Sequence, residues 1–412
     1  MVPGRKRAKG SFCAAVLTLA ALAGGCAGSS SQVVRAYYAG DTRTALEMQS
    51  RRIARTGERH RNRALEELRL ASVAIAAGET ATAESALLAA ASRIEDTRRR
   101  YGREQLHLYS HDMSEPFVGY PYERMMAHFY LGLIRYLRKD YEGALASFRS
   151  AAAADQEGVS WQDVSDSPIV HLMAGKCHAH LGDKKEAKAA FDDAEKACGL
   201  RRISAEKLER ETNLRANVGL LVEMGRGPGR IRWGDYGEVV SVSSLPQDVG
   251  ECKVAVDGGD WRSVPVLEDL DYQAATHGGR RVEAIIFGRP VAADALAAAG
   301  ISSMVGAVFV RRWEPSLALA LSGVALLGAA AAVEADADVR AWEMLPVRIA
   351  YIGFDLPPGR HSIRLEFYGP DGCRKPEYSV ALSDVEAPER EETFLWVRAL
   401  PRVRTDTAVV TP

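Results

Sequence analysis

The chain has 412 residues, 47% of them hydrophobic and 26% charged, with 53 basic residues against 54 acidic ones. That balance is of a folded protein with apolar residues enough for two or three cores, and it excludes disordered and collagen-like classes. A formal net charge of −1 gives no electrostatic footprint for nucleic acid.

At the N-terminus, Met1 to Gly10 carries Arg5, Lys6, Arg7 and Lys9 and no acid, and Ser11 to Ala23 is uncharged and apolar. Residues 1–25 thus have the layout of a secretory signal peptide, and the apolar run is short of the ~20 residues of a spanning helix. Ala21 to Ala23 could supply an ordinary cleavage site. Ala23-Gly24-Gly25-Cys26, however, resembles a bacterial lipobox, with Ala23 where leucine is usual. The resemblance makes Cys26 the lipid-attachment residue and the first residue of the mature chain, whose net charge becomes −5 once four basic residues leave with the signal. More than one acyl chain gives firm anchoring. Ala27 rather than Asp follows the cysteine; by resemblance to lipoprotein sorting, this directs the protein to the outer membrane, facing the periplasm. Residues 26–34 are expected as the lipidated cysteine and a flexible tether.

Residues 35–222 carry helical repeats. Leu131 to Ala151 has Gly132, Ala144, Phe148 and Ala151 at tetratricopeptide spacing, and Ala174 to Ala194 repeats the pattern with Gly175, Ala187, Phe191 and Ala194. Small residues let paired helices approach, and each phenylalanine fills the space between pairs. Two weaker copies begin at Ala39 and Ala76, each with a turn glycine and an alanine five residues on. A single repeat cannot bury its apolar face, so the units are expected to stack.

Beyond about residue 223 the period changes to two. "CKVAVDGGDW" puts Cys252, Val254 and Val256 on one face, and "HSIRLEFYGPDG" puts Ile363, Leu365 and Phe367 there. "VEAIIF", "VRIAYIGF", "YSVAL" and "TFLWVRAL" are similar, and the glycine and proline turns between them read as antiparallel pairing. The fold class is therefore α+β: a repeat stack, then a sandwich-like β-rich domain over 223–400 with an alanine-rich helical insertion at about 291–345, and a tail over 401–412. In that insertion Ser316 to Val333 is uncharged for eighteen residues. About half of these are Ala or Gly, which favours close-packed helices over a bilayer span.

"PYERMMAHFYLGLIRYLRKDYEGALASFR" and "ADADVRAWEMLPVRIAYIGFDLPPGRHSIRLEF" together resemble blocks of a family of bacterial tetratricopeptide-repeat lipoproteins of unassigned function. The second block has that family's pattern at Ala337, Asp338, Arg340, Trp342, Leu345 and Pro346. Some members are encoded near lipoproteins resembling penicillin-binding-protein activators. The resemblance implies a cell-envelope protein and carries over no catalytic residue. Trp342 and Leu345, just before a strand, are expected to lock the insertion onto the β domain with Arg340 and Pro346.

Other motifs point to structure. "GRGPGRIRWGD", Gly225 to Asp235, lacks the Gly-Lys-Ser/Thr of a phosphate loop and reads as a turn into the β domain. His178 and His180 point to different helical faces, and His171 lies two turns from His178, so no metal site is expected. Cys177, Cys198, Cys252 and Cys373 allow three disulfide pairings, with buried free thiols the other possibility. No G-x-S-x-G or H-E-x-x-H occurs, and neither an enzyme nor a cofactor is expected. The leading expectation is a lipid-anchored periplasmic scaffold that holds an envelope protein in its repeat groove. A carbohydrate- or peptidoglycan-binding module is the alternative, with Trp233, Trp261, Trp342 and Trp396 as stacking candidates. An enzyme without a recognisable motif is the third reading.

Overall fold

Four times along the first half of the chain, a helix ends on a residue with positive φ followed by an acid: Gly40-Asp41, Gly78-Glu79, Lys139-Asp140 and Gly182-Asp183. At each, the acidic residue's N–H donates five residues back and the preceding N–H three residues back, the paired bonds of a Schellman stop. Each acid's carbonyl then accepts from an alanine four residues on, Ala45, Ala83, Ala144 or Ala187, and all four alanines are buried. The turns define four helical hairpins. These are α1 (Ala27–Tyr38) with α2 (Thr42–Arg55), α3 (Arg63–Ala76) with α4 (Thr80–Tyr101), α5 (Pro121–Leu137) with α6 (Tyr141–Gln156), and α7 (Pro168–His180) with α8 (Lys184–Leu200). Consecutive helices pack side by side throughout.

The computed structural model describes residues 27–101, 116–156, 165–200, 216–233, 239–275, 338–389, 391–401 and 409–410. The signal segment, Cys26, the strand expected at "VEAIIF" and the apolar run Ser316 to Val333 lie outside them. Among the described residues no helix is long and apolar enough to cross a membrane. The tether expected over Ala27 to Gln32 is instead the start of α1, which is held to the body by buried Val33 and Tyr37, one turn apart on one face.

The second half is built of sheets, mostly antiparallel. A five-stranded sheet has the order β11-β10-β1-β7-β6, with β1 at Val218–Met224, β6 at Val266–Asp269, β7 at Arg348–Phe354, β10 at Thr393–Arg398 and β11 at Val409–Val410. β1 runs antiparallel to β7 and parallel to β10. A four-stranded sheet has the order β5-β4-β8-β9, with β4 at Glu251–Val256, β5 at Arg262–Ser263, β8 at Gly359–Tyr368 and β9 at Val380–Ala387. The short pair β2 (Gly229–Trp233) and β3 (Val239–Ser243) stands apart, and a single helical turn, α9 (Leu270–Gln273), follows β6.

The two larger sheets share a core. Val218, Leu220 and Val222 of β1, Ala350 and Ile352 of β7, and Leu395 and Val397 of β10 meet Val254, Ile363, Leu365 and Phe367. The alternate residues Leu221, Ile349, Tyr351, Phe394 and Trp396 belong to the helical core. The five-stranded sheet is thus a middle layer, with helices on one face and the second sheet on the other. That double burial explains why β1 does not alternate apolar with polar residues and is buried along its whole length.

Three expected boundaries move. The division at 222/223 falls inside β1, the strand that joins β7 to β10. The supposed tail supplies β11, paired with Trp396 and Val397. Residues 338–345, expected as the end of a helical insertion, form an irregular strap. Pro346 disfavours helix at Leu345, and the backbone groups of Trp342 and Glu343 are engaged by Glu123 and Tyr38 of other elements.

Candidate functional site

The first helix of every hairpin faces the sheet and the strap. Tyr38 of α1 donates its hydroxyl to the Glu343 carbonyl at 2.6 Å. Ser72 of α3 accepts from the Trp342 indole at 2.8 Å. Tyr136 of α5 and Lys176 of α7 both reach Glu392. Ser167, at the start of α7, donates to Glu268 of β6 at 2.5 Å. The helical face expected to hold a partner's peptide is therefore covered, among the described residues, by the chain's own strap and sheet.

Three buried polar clusters stitch this joint. The first centres on Glu123, which is wholly buried at the start of α5. Pro121 presets the first turn, and the Glu123 carboxylate accepts from the Tyr120 N–H at 2.7 Å, capping the helix. The same carboxylate accepts from the Trp342 N–H at 2.7 Å and from Arg230 at 2.5 Å. Arg230, its side chain 2% exposed, lies 3.6 Å above the Tyr120 ring and also donates to the Arg340 carbonyl. Burial disfavours its charge, but Glu123 and the two tyrosines outweigh this and hold it firmly protonated. Arg340 in turn grips Asp338 and reaches Asn62, just before α3.

The second cluster joins α5 and α7 to the start of β10. Lys176 lies 2.7 Å from Glu392 and donates to the Tyr351 hydroxyl at 3.0 Å. His180 stacks on Tyr141 and sits 2.9 Å from the Tyr136 hydroxyl. Burial pushes the Glu392 carboxyl up, yet Lys176, with hydrogen bonds from His180 and Tyr136, holds it below the usual range.

The third cluster is less well satisfied. Glu223 and Arg398 are cross-strand neighbours on β1 and β10, both pointing at the helices, with charged atoms 3.9 Å apart. Arg398 donates to the Gly225 and Leu345 carbonyls. Glu223 Oε1 and Arg398 Nε and Nη1 have no hydrogen-bond partner among the described residues. Burial pushes the Glu223 carboxyl up to about 7, against the opposing pull of Arg398.

The sequence-derived residues distribute as follows. A Cβ placed on Gly132 would lie less than 3 Å from the Phe148 ring, and one on Gly175 less than 3 Å from Phe191. Ala144, Ala151, Ala187 and Ala194 are buried within the same two hairpins. Trp342 is 1% exposed, its ring edge-on to Tyr130 of α5 at 5.8 Å, so it fastens the strap to the helices rather than to the β layers. Leu345 joins the same core. Trp342 and Trp396 are both too buried to stack on a sugar; Trp261, 39% exposed and 5.6 Å from Arg364, stays open to one.

Cys177, Cys198, Cys252 and Cys373 form no disulfide with one another, the first three being buried and Cys373 exposed, and burial pushes Cys177 up to about 12, away from nucleophilic use. His178, His180 and His171 have separate partners: Asp183, Tyr136 with Glu392, and the Ser165 carbonyl. No metal-ligating group of three or more occurs among the described residues. Asp257, His361 and Ser362 adjoin on the surface without forming a triad. His361 uses one ring nitrogen on Asp257 and the other on the Pro357 carbonyl, while the serine turns to Asp257. Glu123 and Arg230 were not singled out in the sequence. The only local signal for either is a proline followed by an acid two residues on, for α5.

No family model matches this chain, and no curated protein matches it.

Proposed function

We propose that this chain is a lipid-anchored protein of the bacterial cell envelope, acylated at Cys26, which works by holding protein partners rather than by catalysis. The observation that carries the reading is the sequence layout: four basic residues, an uncharged apolar run, and Ala23-Gly24-Gly25-Cys26 at its end. Support for a tetratricopeptide-like stack comes from the four hairpins with one shared stop and one shared buried alanine. Because strap and sheet occupy the inner helical face, partners engage the outer helices or the open face of the four-stranded sheet. Arg364 and Glu366 alternate there with the inward Ile363 and Leu365.

The test is metabolic labelling with palmitate. Wild-type protein should take up label and Cys26→Ser should not; an unlabelled wild type ends the reading. Cross-linking in intact envelopes then separates the two binding classes. A stoichiometric protein adduct supports the scaffold. Retention on peptidoglycan, abolished by Trp261→Ala, supports the carbohydrate alternative, for which the exposed Trp261–Arg364 pair is the specific observation.

A further inference from the structure

The first two helical hairpins carry a strongly basic stretch at one end. Between Arg51 and Arg63 six of thirteen residues are arginine and only Glu58 is acidic, in a chain whose overall charge is slightly negative. This stretch is the last turn of α2, the loop after it and the first residue of α3. Arg63 donates back to the Ile53 and Thr56 carbonyls, which folds the loop over the helix ends. Arg93 of α4 bonds to Glu67 and to the Glu58 carbonyl, so α4 comes level with the loop at that point. The eight residues of α4 from Ile94 to Tyr101 then extend about 12 Å further. They carry Arg98, Arg99 and Arg100 beyond the level of the loop.

The charge is available. Arg51, Arg55, Arg59, Arg61, Arg99 and Arg100 are exposed. Arg51 and Arg99 have only loose pairs at 3.5 Å or more, to Glu47, Glu95 and Asp96. Arg55, Arg59, Arg61 and Arg100 have no acidic partner among the described residues. Arginines without an acidic partner among the described residues gain nothing from ion pairing there, and clustered together they make a positive patch suited to an anionic surface.

The position of this end selects the surface. α1 and α2 are joined by a tight turn and pack antiparallel, with lengths of about 18 and 21 Å. The start of α1 at Ala27 therefore lies at the end where α2 finishes in Arg55. Cys26 is the residue before Ala27. The start of α1, one residue after the proposed point of attachment, and the arginine cluster thus share one end of the first two hairpins.

We infer that this end is a membrane-contact face for anionic phospholipid, with Arg55, Arg59, Arg61 and Arg100 as its principal contacts. The inference rests on the proposed anchoring at Cys26 for its orientation, but the arginines bind headgroups on their own account. Each basic residue at an anionic bilayer strengthens binding about fivefold, an effect confined to roughly a Debye length of ~10 Å. The acyl group would hold the face within that distance, so the mature protein would lie with this end of its first two hairpins against the leaflet.

The experiment uses the full mature chain with Cys26→Ser, which has no acyl group, and co-sedimentation with vesicles. Vesicles of phosphatidylethanolamine with phosphatidylglycerol should bind it at low salt, and phosphatidylethanolamine–phosphatidylcholine vesicles should not. High salt should release it. The fourfold variant Arg55→Gln, Arg59→Gln, Arg61→Gln, Arg100→Gln alters only exposed side chains, and a matching circular dichroism spectrum checks its fold. It should bind about six-hundredfold more weakly. Equal binding to both vesicle types, insensitive to salt, would assign attachment to an apolar segment and overturn the inference, as would unchanged binding by the fourfold variant or no binding at all. Palmitate labelling of the wild type is scored separately, so a failure of the anchor and a failure of the face give different results.

Discussion

Glu123 serves three elements at once: one carboxylate caps its own helix, anchors a strand arginine and receives the strap's backbone. Its partners are 107 and 219 residues away, which is why sequence spacing did not reveal it. Arg230 was hidden in a similar way, because the glycines around it announce only a turn. A buried arginine is rare unless paired, and its pair is set by tertiary structure. Trp342 was legible from its place before a strand, although its contacts are with helices. Glu223 makes a sharper test, since its environment is poorly matched to charge. Its folded pKa, about 7, is above the ordinary carboxylate value of 4.5, so the folded state holds its proton more tightly than the unfolded state does. Stability is then lost as pH rises from 4.5 through 7, by about 3 kcal/mol for this group alone. Glu223→Gln removes that titration. The melting temperature of Glu223→Gln relative to wild type should therefore climb between pH 5 and pH 8. A constant difference across that range would show that Glu223 titrates normally.

At the scale of elements, two hairpins were plain in the sequence and two were faint, yet all four close with the same hydrogen bonds. The faint copies retain the turn and its alanine but have no glycine–phenylalanine pair. A backbone stop needs only a left-handed residue and a small neighbour, and even Lys139 serves, with φ of 62°. The strands divide likewise. β8 alternates cleanly because one face is open, whereas β1 does not because both faces are covered. The glycine–phenylalanine pairs permit a graded test. Alanine for glycine inside a helix ordinarily gains up to about 1 kcal/mol from propensity. At Gly132 the new methyl meets Phe148, fully buried and packed on Phe129 at 5.7 Å, so the ring cannot yield. Gly132→Ala should lose about 1–3 kcal/mol from overpacking despite that gain. Gly175→Ala should cost less, because Phe191 is only partly buried and can move aside. Chemical denaturation of both variants measures the order, and adding Phe148→Leu should restore much of the loss at Gly132. Equal effects at the two glycines would mean that ring mobility does not govern the helix approach.

For the whole molecule, the change of periodicity near residue 220 marks a change of secondary structure and not a boundary between independent folding units. A division there predicts that a fragment beginning at Gly229 folds alone. Such a fragment lacks β1, whose register ties β7 on one side to β10 on the other, and the five-stranded sheet would be split through its middle. Restoring β1 by starting at Ala216 is not enough. Leu221, Ile349, Tyr351, Phe394 and Trp396 would then face water, together with Lys176's partner Glu392 and the Glu223–Arg398 pair. Five large apolar side chains, at about 1.5–3 kcal/mol each, outweigh the 5–15 kcal/mol of a typical domain or come close to it. The 229–412 fragment should therefore be unfolded, and the 216–412 fragment should collapse without a cooperative melt and bind hydrophobic dye. In the intact chain, helix loss followed by far-UV circular dichroism and exposure of Trp342 and Trp396 followed by fluorescence should coincide in one transition. Gly132→Ala should shift both signals together. A cooperative melt from the 229–412 fragment, or a fluorescence transition separated from helix loss, would restore the two-domain description and make the buried joint a docking interface instead of a shared core.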